Sequence, residues 1–229
     1  LYQPKVVDFP YYETFENSEQ DFSNTEIFSE NPDMFLTWIV DTIGGFTNDK
    51  KAAKMPFIQY LGYETERDIM HLPFVDISSA EDPSISFSYS YAKRTYFIFK
   101  DTLAVVARYG ENMNQIDTLF LKFGEHLATV EGNWGTIKFI PTDWQQWKDT
   151  TISIAHLQDY GIVRFEFLAI NDNGNNLYLN NIAVHDGEYS LNVSNQARSE
   201  WKIRIYPNPA RSFLFVENNN KQGVFDIYN

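Results

Sequence analysis

The chain has 229 residues, a net charge of −13 at pH 7, 43% hydrophobic residues and no cysteine. The length fits one large all-β domain, or one domain plus a fragment. The acidic balance argues against a nucleic-acid partner, which needs a cationic surface, and the lack of cysteine excludes disulfides and thiolate metal sites. No apolar run approaches the ~18 residues of a membrane-spanning helix.

Strand-like segments dominate the first 184 residues and recur at the spacing typical of a β-sandwich. In "ISFSYSYA", for example, the aromatic positions alternate with serines, so we expect the two sets on opposite faces of a strand. Helical periodicity is weak, and only 66–72 and 142–149 could supply a turn. The sequence therefore predicts an all-β sandwich with strands at 35–40, 57–63, 71–78, 85–92, 102–110, 117–124, 135–141, 150–157, 162–170 and 176–184.

The strand pattern weakens after Val184 and restarts near residue 201. The restart carries Pro207 and Pro209, which remove two ladder donors and favour an edge strand or a kinked entry. We therefore predict a first domain at 1–190, a linker at 191–200 and a second unit at 201–229. That unit supplies at most three short strands, which is too little for an independent core.

The segment "IYPNPARSFLFVE" (205–217) resembles the first block of the C-terminal sorting domain of type IX secretion cargo. "GVFDIYN" (223–229) resembles the strand that follows, and the later blocks of that domain are missing. The resemblance implies the first strands of a small Ig-like sorting domain. It also implies recognition by the type IX secretion machinery and a secreted or outer-membrane-attached location reached through the periplasm. The sorting motif would be Tyr206, Pro207, Asn208 and Pro209.

Five segments in order, spread over residues 9–186, carry a second resemblance: "PYYETFE" (10–16), "ISFSYSYA" with "DTLAVVA" (85–92 and 101–107), "KFGEHLATV" (122–130), "PTDWQQW" (141–147) and "GNNLYLNNI" (174–182). Together they resemble the MAM-like, choice-of-anchor jelly-roll domain of secreted bacterial proteins. That domain is often found behind cytophagalysin- or pappalysin-type metalloproteases. The resemblance implies a jelly-roll β-sandwich and an accessory role. The hairpin after "AVVARYG" departs from the family pattern.

Related jelly rolls often hold a structural Ca²⁺ between an acid in the opening strand and one in the closing strand. Here Glu16 keeps the first carboxylate, but Thr14 replaces a frequent acid and Asn180 stands where Asp is usual. Ca²⁺ favours several anionic oxygens, so these changes weaken the site. The resemblance thus implies at most a structural calcium at Glu16 and Asn180, and no other cofactor.

No catalytic motif is recognisable in the sequence. The four histidines lack the His-Glu-x-x-His spacing of zinc proteases, and neither a Gly-x-Ser-x-Gly elbow nor a phosphate loop is present. Jelly-roll glycosidases need two close carboxylates across a groove, and no segment has their usual spacing. Glu64 and Glu66 are expected on a solvated face, and Glu166 is expected to pair with Arg164. We therefore predict no catalytic residues.

The remaining ligand candidates are aromatic. Trp134 and Trp144 fall in or beside loops, where exposed rings could stack on sugar faces or anchor a protein partner. Trp147 is expected to pack in the core, although its spacing of three from Trp144 would let both share one face of a helical turn. His126 is expected at the surface.

These observations favour a non-catalytic accessory binding or adhesion module of an exported bacterial protein, with a polysaccharide or a surface protein as partner. Two alternatives remain open: a carbohydrate-binding module proper, and a jelly-roll hydrolase with an unrecognised carboxylate pair. A spacer that binds nothing is a further outcome.

Overall fold

Twelve strands are described in the first part of the chain, and their pairing assigns them to two six-stranded sheets. The computed structural model describes residues 5–42, 50–60, 65–94, 100–131 and 137–187, together with the backbone of 204–206 and 215–217. The twelve strands are β1 (Val6–Val7), β2 (Tyr11–Glu13), β3 (Phe28–Glu30), β4 (Ile39–Asp41), β5 (Ala52–Met55), β6 (Arg67–Asp76), β7 (Pro83–Tyr91), β8 (Thr102–Tyr109), β9 (Gln115–Phe123), β10 (Lys148–Ser153), β11 (Ile162–Ile170) and β12 (Leu177–Asp186).

Sheet A has the order β1-β6-β11-β8-β9, and β3 also pairs with β6. Sheet B has the order β10-β7-β12-β5-β4, and β2 also pairs with β12. All these pairs are antiparallel except β1 with β6. No helix of the length and apolarity that a bilayer requires occurs in the described part of the chain.

Aromatic rings join the two sheets. Phe87 of β7 makes edge-on contacts with Phe120 of β9 and Phe167 of β11, with ring centroids 5.3 Å apart in both pairs. Such edge-to-face pairs stabilise beyond the area they bury. The alternation predicted for β7 is confirmed, since Phe87 and the other large side chains of one face lie in the core while Ser86 and the other serines bond on the opposite face. The prediction of an all-β sandwich is confirmed.

The chain divides into two compact units, Leu1–Leu191 and Asn192–Asn229. In the second unit the structure describes β13 (Arg204–Tyr206) and β14 (Phe215–Glu217), which pair antiparallel with Tyr206 opposite Phe215. The linker predicted at 191–200 lies outside the described residues, and so do the side chains of Phe213 and Phe215. The predicted domain boundaries therefore stay predictions.

Two predicted local structures are wrong where the structure describes them: the strand at 57–63, of which 57–60 are described, and the helical turn at 66–72. The expected strand at 57–63 starts instead with a 3₁₀ turn, Phe57–Gln59, directly after Pro56. Because side chains three apart align in a 3₁₀ turn, Phe57 and Tyr60 both reach the core. The helical turn considered at 66–72 is the start of β6, which pairs with β11 on one side and with β3 on the other.

The strand predicted at 135–141 is also absent from its described residues, 137–141. The backbone of Phe139 bonds to side chains instead of a neighbouring strand. Its N–H donates to Asn175 Oδ1 (2.8 Å), and its carbonyl accepts from Asn176 Nδ2 (3.2 Å) and the Tyr178 hydroxyl (3.0 Å). These bonds satisfy the backbone of a buried residue without a ladder.

A buried carboxylate fixes the loop between β11 and β12. Asp101 Oδ1 accepts from the backbone N–H groups of Asp172 (2.8 Å) and Gly174 (3.0 Å), while Oδ2 accepts from the Tyr91 hydroxyl (2.9 Å). A Cβ on Gly174 would lie 1.8 Å from Asp101 Oδ2, so only glycine fits. Burial raises the pKa of Asp101 to about 7, more than its hydrogen bonds lower it.

The raised pKa of Asp101 predicts a pH-dependent stability. The folded state holds the proton more tightly than the unfolded chain, so this contribution is complete below about pH 4 and is lost as the pH rises to about 7. Asp101→Asn imitates the protonated acid and has no such loss. In urea unfolding, we expect the free energy of unfolding of the variant to rise relative to that of the wild type by up to about 4 kcal/mol between about pH 4 and about pH 7. A difference that does not change with pH would contradict this assignment.

Candidate ligand-binding cleft

An open cleft of about 720 Å³ lies beside the edge strand of sheet B. One wall is the loop after β2, and the other comes from β4, β5 and the residues next to them. The lining is mostly polar: Asn17, Ser18, Glu19, Gln20, Asn24, Ile39, Val40, Asp41, Thr42, Lys51 and Lys54.

Two buried phenylalanines shape the loop wall. Phe15 and Phe22 are both in the core, with their ring centroids 6.1 Å apart in an edge-on contact. Both have a positive φ (63° and 61°), which reverses the chain at each anchor. Most of the side chains between them are exposed, and hydrogen bonds from Glu19 N to Asn24 Oδ1 (2.7 Å) and from Asn24 Nδ2 to Asn17 O (2.6 Å) close the loop.

Glu16 and Lys51 tie the two walls together. Glu16 Oε1 accepts from the backbone N–H groups of Lys50 (2.6 Å) and Lys51 (2.8 Å), and Lys51 Nζ donates to the Ser18 carbonyl (2.9 Å). A third bond, from Val40 N to the Gln20 carbonyl (2.9 Å), joins the loop to β4. The cleft is thus a braced feature of the fold.

A buried ion pair forms part of the cleft lining. Lys54 Nζ lies 2.6 Å from Asp41 Oδ2, and the two side chains are only 5% and 19% exposed. The β4–β5 register, with Ile39 opposite Lys54, brings the two residues onto neighbouring strands. Lys138 lies near this pair. Burial lowers the pKa of Lys138 most, and the charge of Lys54 lowers it further. A pair this shielded from solvent is screened by salt less than a surface pair.

Glu16 and Asn180, the predicted calcium ligands, both have hydrogen-bonding roles. Glu16 braces the cleft, and the buried Asn180 accepts from Asn181 N (2.8 Å) through Oδ1. Both still offer the oxygen chemistry that Ca²⁺ takes. The described residues contain no group of three or more His, Asp or Glu side chains placed to hold a metal ion. A calcium at this pair stays a prediction.

The two tryptophans at 144 and 147 differ in exposure. The turn predicted within 142–149 is confirmed as a 3₁₀ turn, Trp144–Gln146, capped by the side chain of Asp143. Trp144 is 58% exposed, whereas Trp147 is 7% exposed, so the packing expected for Trp147 is confirmed and a shared face is wrong. The extended backbone at Trp147 (φ −104°, ψ 151°) ends the turn and directs its ring inward. Trp134 lies outside the described residues.

Glu166 pairs with Arg164 as predicted, at 2.7 Å, and its other partners come from neighbouring strands. Arg108 Nε and His71 Nδ1 lie 2.6 and 3.1 Å from the same Oε1 atom. Burial alone would raise the pKa of Glu166, but these hydrogen bonds outweigh it and lower the pKa to about 2. The partners Arg108 and His71 depend on strand order, which the sequence does not reveal. The exposed position expected for His126 is confirmed.

In the predicted sorting motif, Tyr206 ends β13, while Pro207, Asn208 and Pro209 lie outside the described residues. The cleft residues, by contrast, were not predicted. Their types are ordinary for loops, and the one available signal is the pair of phenylalanines that bracket a polar run.

Comparisons with known proteins give a likeness of fold. No protein-family model matches the chain, and no curated protein matches it. Among solved structures, the chain is similar to the K1 cleaved adhesin domain of Lys-gingipain from Porphyromonas gingivalis W83, with 13% identity and a TM-score of 0.51 over 78% of this chain and 99% of that one. The K3 cleaved adhesin domain of the same protein gives 15% identity and a TM-score of 0.52 over 77% and 98%. At such identities the likeness shows the β-sandwich fold.

The ion pair in the cleft predicts a strong coupling between its members. Lys54→Met should lower the free energy of unfolding by about 3 kcal/mol, because it leaves Asp41 without its partner. Adding Asp41→Asn to that variant removes the uncompensated charge and should recover much of the loss. Urea unfolding of both single variants and the double variant measures the coupling energy. Strictly additive effects would contradict the pairing.

Proposed function

We propose that this chain is a non-catalytic binding module of an exported bacterial protein, and that the cleft beside β4 holds its ligand. The observation that carries the proposal is the composition of this braced cleft. Its side chains are amides, hydroxyls, carboxylates and ammonium groups, and only Ile39 and Val40 are apolar.

The chemistry of the lining favours a polyhydroxylated ligand, such as a polysaccharide or the glycan of a surface protein. Most small-molecule pockets are lined mainly by apolar residues, whereas nine of the eleven residues that line this cleft, at a comparable volume, are polar or charged. Amides both donate and accept, carboxylates accept and ammonium groups donate, so this lining can pair with both the hydrogen and the oxygen of ligand hydroxyl groups.

The shared fold supports a binding role. The two gingipain domains are named as adhesin domains, and the chain spans nearly all of their length. An accessory binding module would need a rigid scaffold and variable surface loops, which the sandwich and the loop after β2 supply.

Export by the type IX route is part of the proposal. It is supported by the resemblance of residues 205–217 to the first sorting block and by the short antiparallel pair β13–β14 at that place. A secretion assay in a type IX-competent host, comparing the natural full-length protein with a variant carrying Pro207→Ala and Pro209→Ala, tests it. Loss of extracellular protein supports this route, and unchanged export contradicts it.

The cleft is tested with two polar side chains that support no described hydrogen bond of the scaffold, those of Asn17 and Gln20. An array of polysaccharides and bacterial or host glycans identifies the ligand, and titration calorimetry then measures Kd. We expect Asn17→Ala with Gln20→Ala to weaken binding roughly 30-fold, since each lost hydrogen bond is worth about 1 kcal/mol.

A matched pair elsewhere provides the control. Asn114 and Gln115 are also an exposed amide pair outside the cleft; Asn114 ends the turn before β9, and Gln115 is the first residue of that strand. Their double alanine variant should bind like the wild type. An equal loss of affinity in both double variants, or no loss of affinity in the cleft variant, would show that the ligand binds outside the cleft.

A carbohydrate-binding surface at Trp144 is the second candidate, because its ring is exposed on a capped, ordered turn. An aromatic face of this kind can stack on a sugar ring. If this surface binds, Trp144→Ala should weaken the array ligand about tenfold, and Trp144→Phe should keep most of the affinity. If the Asn17 and Gln20 double variant loses binding of the ligand while Trp144→Ala keeps it, the cleft is the binding site.

A further inference from the structure

Three buried oxygen atoms without a hydrogen-bond partner come from one end of the β3–β6 pair. They are Asn31 Oδ1, Asp33 Oδ2 and Asp68 Oδ1. Most buried polar atoms in folded proteins have a partner, and an unpaired one costs about 1–3 kcal/mol. Three such acceptors in one region require an explanation.

The strand register places Asn31 and Asp68 at the same end of the β3–β6 pair. The last pair of this ladder is Glu30 with Ile69; Asn31 follows Glu30 directly in the chain, and Asp68 directly precedes Ile69. Met70 and Leu72, two and four residues after Asp68, are core residues, so Asp68 also faces inward. The Oδ1 atom of Asn31 is buried as well.

The rest of Asp68 is held firmly. Its Oδ2 accepts from the Tyr60 hydroxyl (2.9 Å), its carbonyl accepts from Trp38 Nε1 (3.3 Å), and the residue is only 1% exposed. Asp33 is fixed by a bond from Phe35 N to its Oδ1 (2.9 Å). Each carboxylate therefore has one oxygen with a described hydrogen bond and one buried oxygen without, and the Thr37 hydroxyl lies near enough to Asp68 to lower its pKa.

No described Lys, Arg or His side chain forms an ion pair with Asp33 or Asp68. Burial raises the pKa of Asp68 to about 6, and the charges of Asp33 and Glu66 raise it further against the lowering influence of the Tyr60 and Thr37 hydroxyls. The Thr37 hydroxyl itself hydrogen-bonds to Ser29. Two neighbouring carboxylates thus lack a compensating positive charge.

We propose that Asn31, Asp33 and Asp68 bind a hard divalent cation of the Ca²⁺ class. Carboxylate and amide oxygens, completed by backbone carbonyls and water, are the ligands that Ca²⁺ takes, whereas Zn²⁺ favours nitrogen and sulfur. The ion fills the three open acceptor positions and neutralises the two acids. Only two ligands are anionic, so the affinity falls near the 10⁻⁴–10⁻³ M range typical of extracellular modules.

The test uses the full chain after removal of metals with a chelator. CaCl₂ is titrated to about 10 mM at neutral pH while the unfolding midpoint is followed, and Ca²⁺ is also titrated against bound Tb³⁺, whose luminescence Trp38 and Tyr60 would sensitise. We expect Ca²⁺ to raise the unfolding midpoint by several degrees in a saturable way and Mg²⁺ to raise it less. We also expect Ca²⁺ to displace bound Tb³⁺.

The variants separate this site from the calcium expected at Glu16 and Asn180. Asp68→Asn keeps the shape of the protonated acid and should lose at least about tenfold in Ca²⁺ affinity, while Glu16→Gln should respond like the wild type. Asp33→Asn, at a partly exposed position, provides the same test should Asp68→Asn fail to fold. No response of the wild type, or a response lost in Glu16→Gln and kept in Asp68→Asn, overturns the proposal.

Discussion

The central strands of sheet B, β5, β7 and β12, are buried on both faces, and the fold depends on how their outer polar side chains are paired. In β7 the inner aromatics fill the core, yet Ser86, Ser88 and Ser90 on the other face are equally inaccessible to water. Ser88 donates to Asp149 (2.7 Å), and Ser86 shares a hydrogen bond with Thr151 (2.8 Å). Both partners lie directly opposite on β10, so the register of this pair satisfies the hydroxyls that its burial creates.

The same constraint explains the cleft at the opposite edge of the sheet. Tyr178 of β12 lies opposite Lys54 of β5, and β4 completes that edge with Asp41. Tyr178 donates to the carbonyl of Phe139, and Lys54 pairs with Asp41, so both of these buried polar groups have a partner. Beyond β4 the described sheet ends, and the loop anchored by Phe15 and Phe22 stands beside it with its polar side chains outward. The polar cleft lies where the doubly buried centre of this sheet gives way to its edge strand.

The long strands could be predicted from the sequence because a period of two is visible when one face is apolar and the other small or polar, as in 85–92. The 3₁₀ turn at Phe57–Gln59 could not, since its aromatic-rich composition is also typical of strands. At Phe139 the ladder was replaced by the amide of Asn175 and its neighbours, which only tertiary structure brings near. The cleft depends on non-local contacts such as Glu16 with Lys50 and Lys51, and local patterns do not encode these.

Removing a carboxylate from water costs free energy, and three buried acids of this fold differ in how that cost is compensated. Glu166 is surrounded by Arg108, Arg164 and His71, and stays ionised with a pKa of about 2. Asp101 has backbone N–H groups and a tyrosine hydroxyl but no cation, and its pKa rises to about 7. Asp68 has hydroxyl groups beside it but no cation, its pKa rises to about 6, and one of its oxygens and one of Asp33 have no described hydrogen bond. Protonation of one acid removes one charge and pairs at most two of the three open oxygens, whereas a bound cation compensates both charges and takes all three positions.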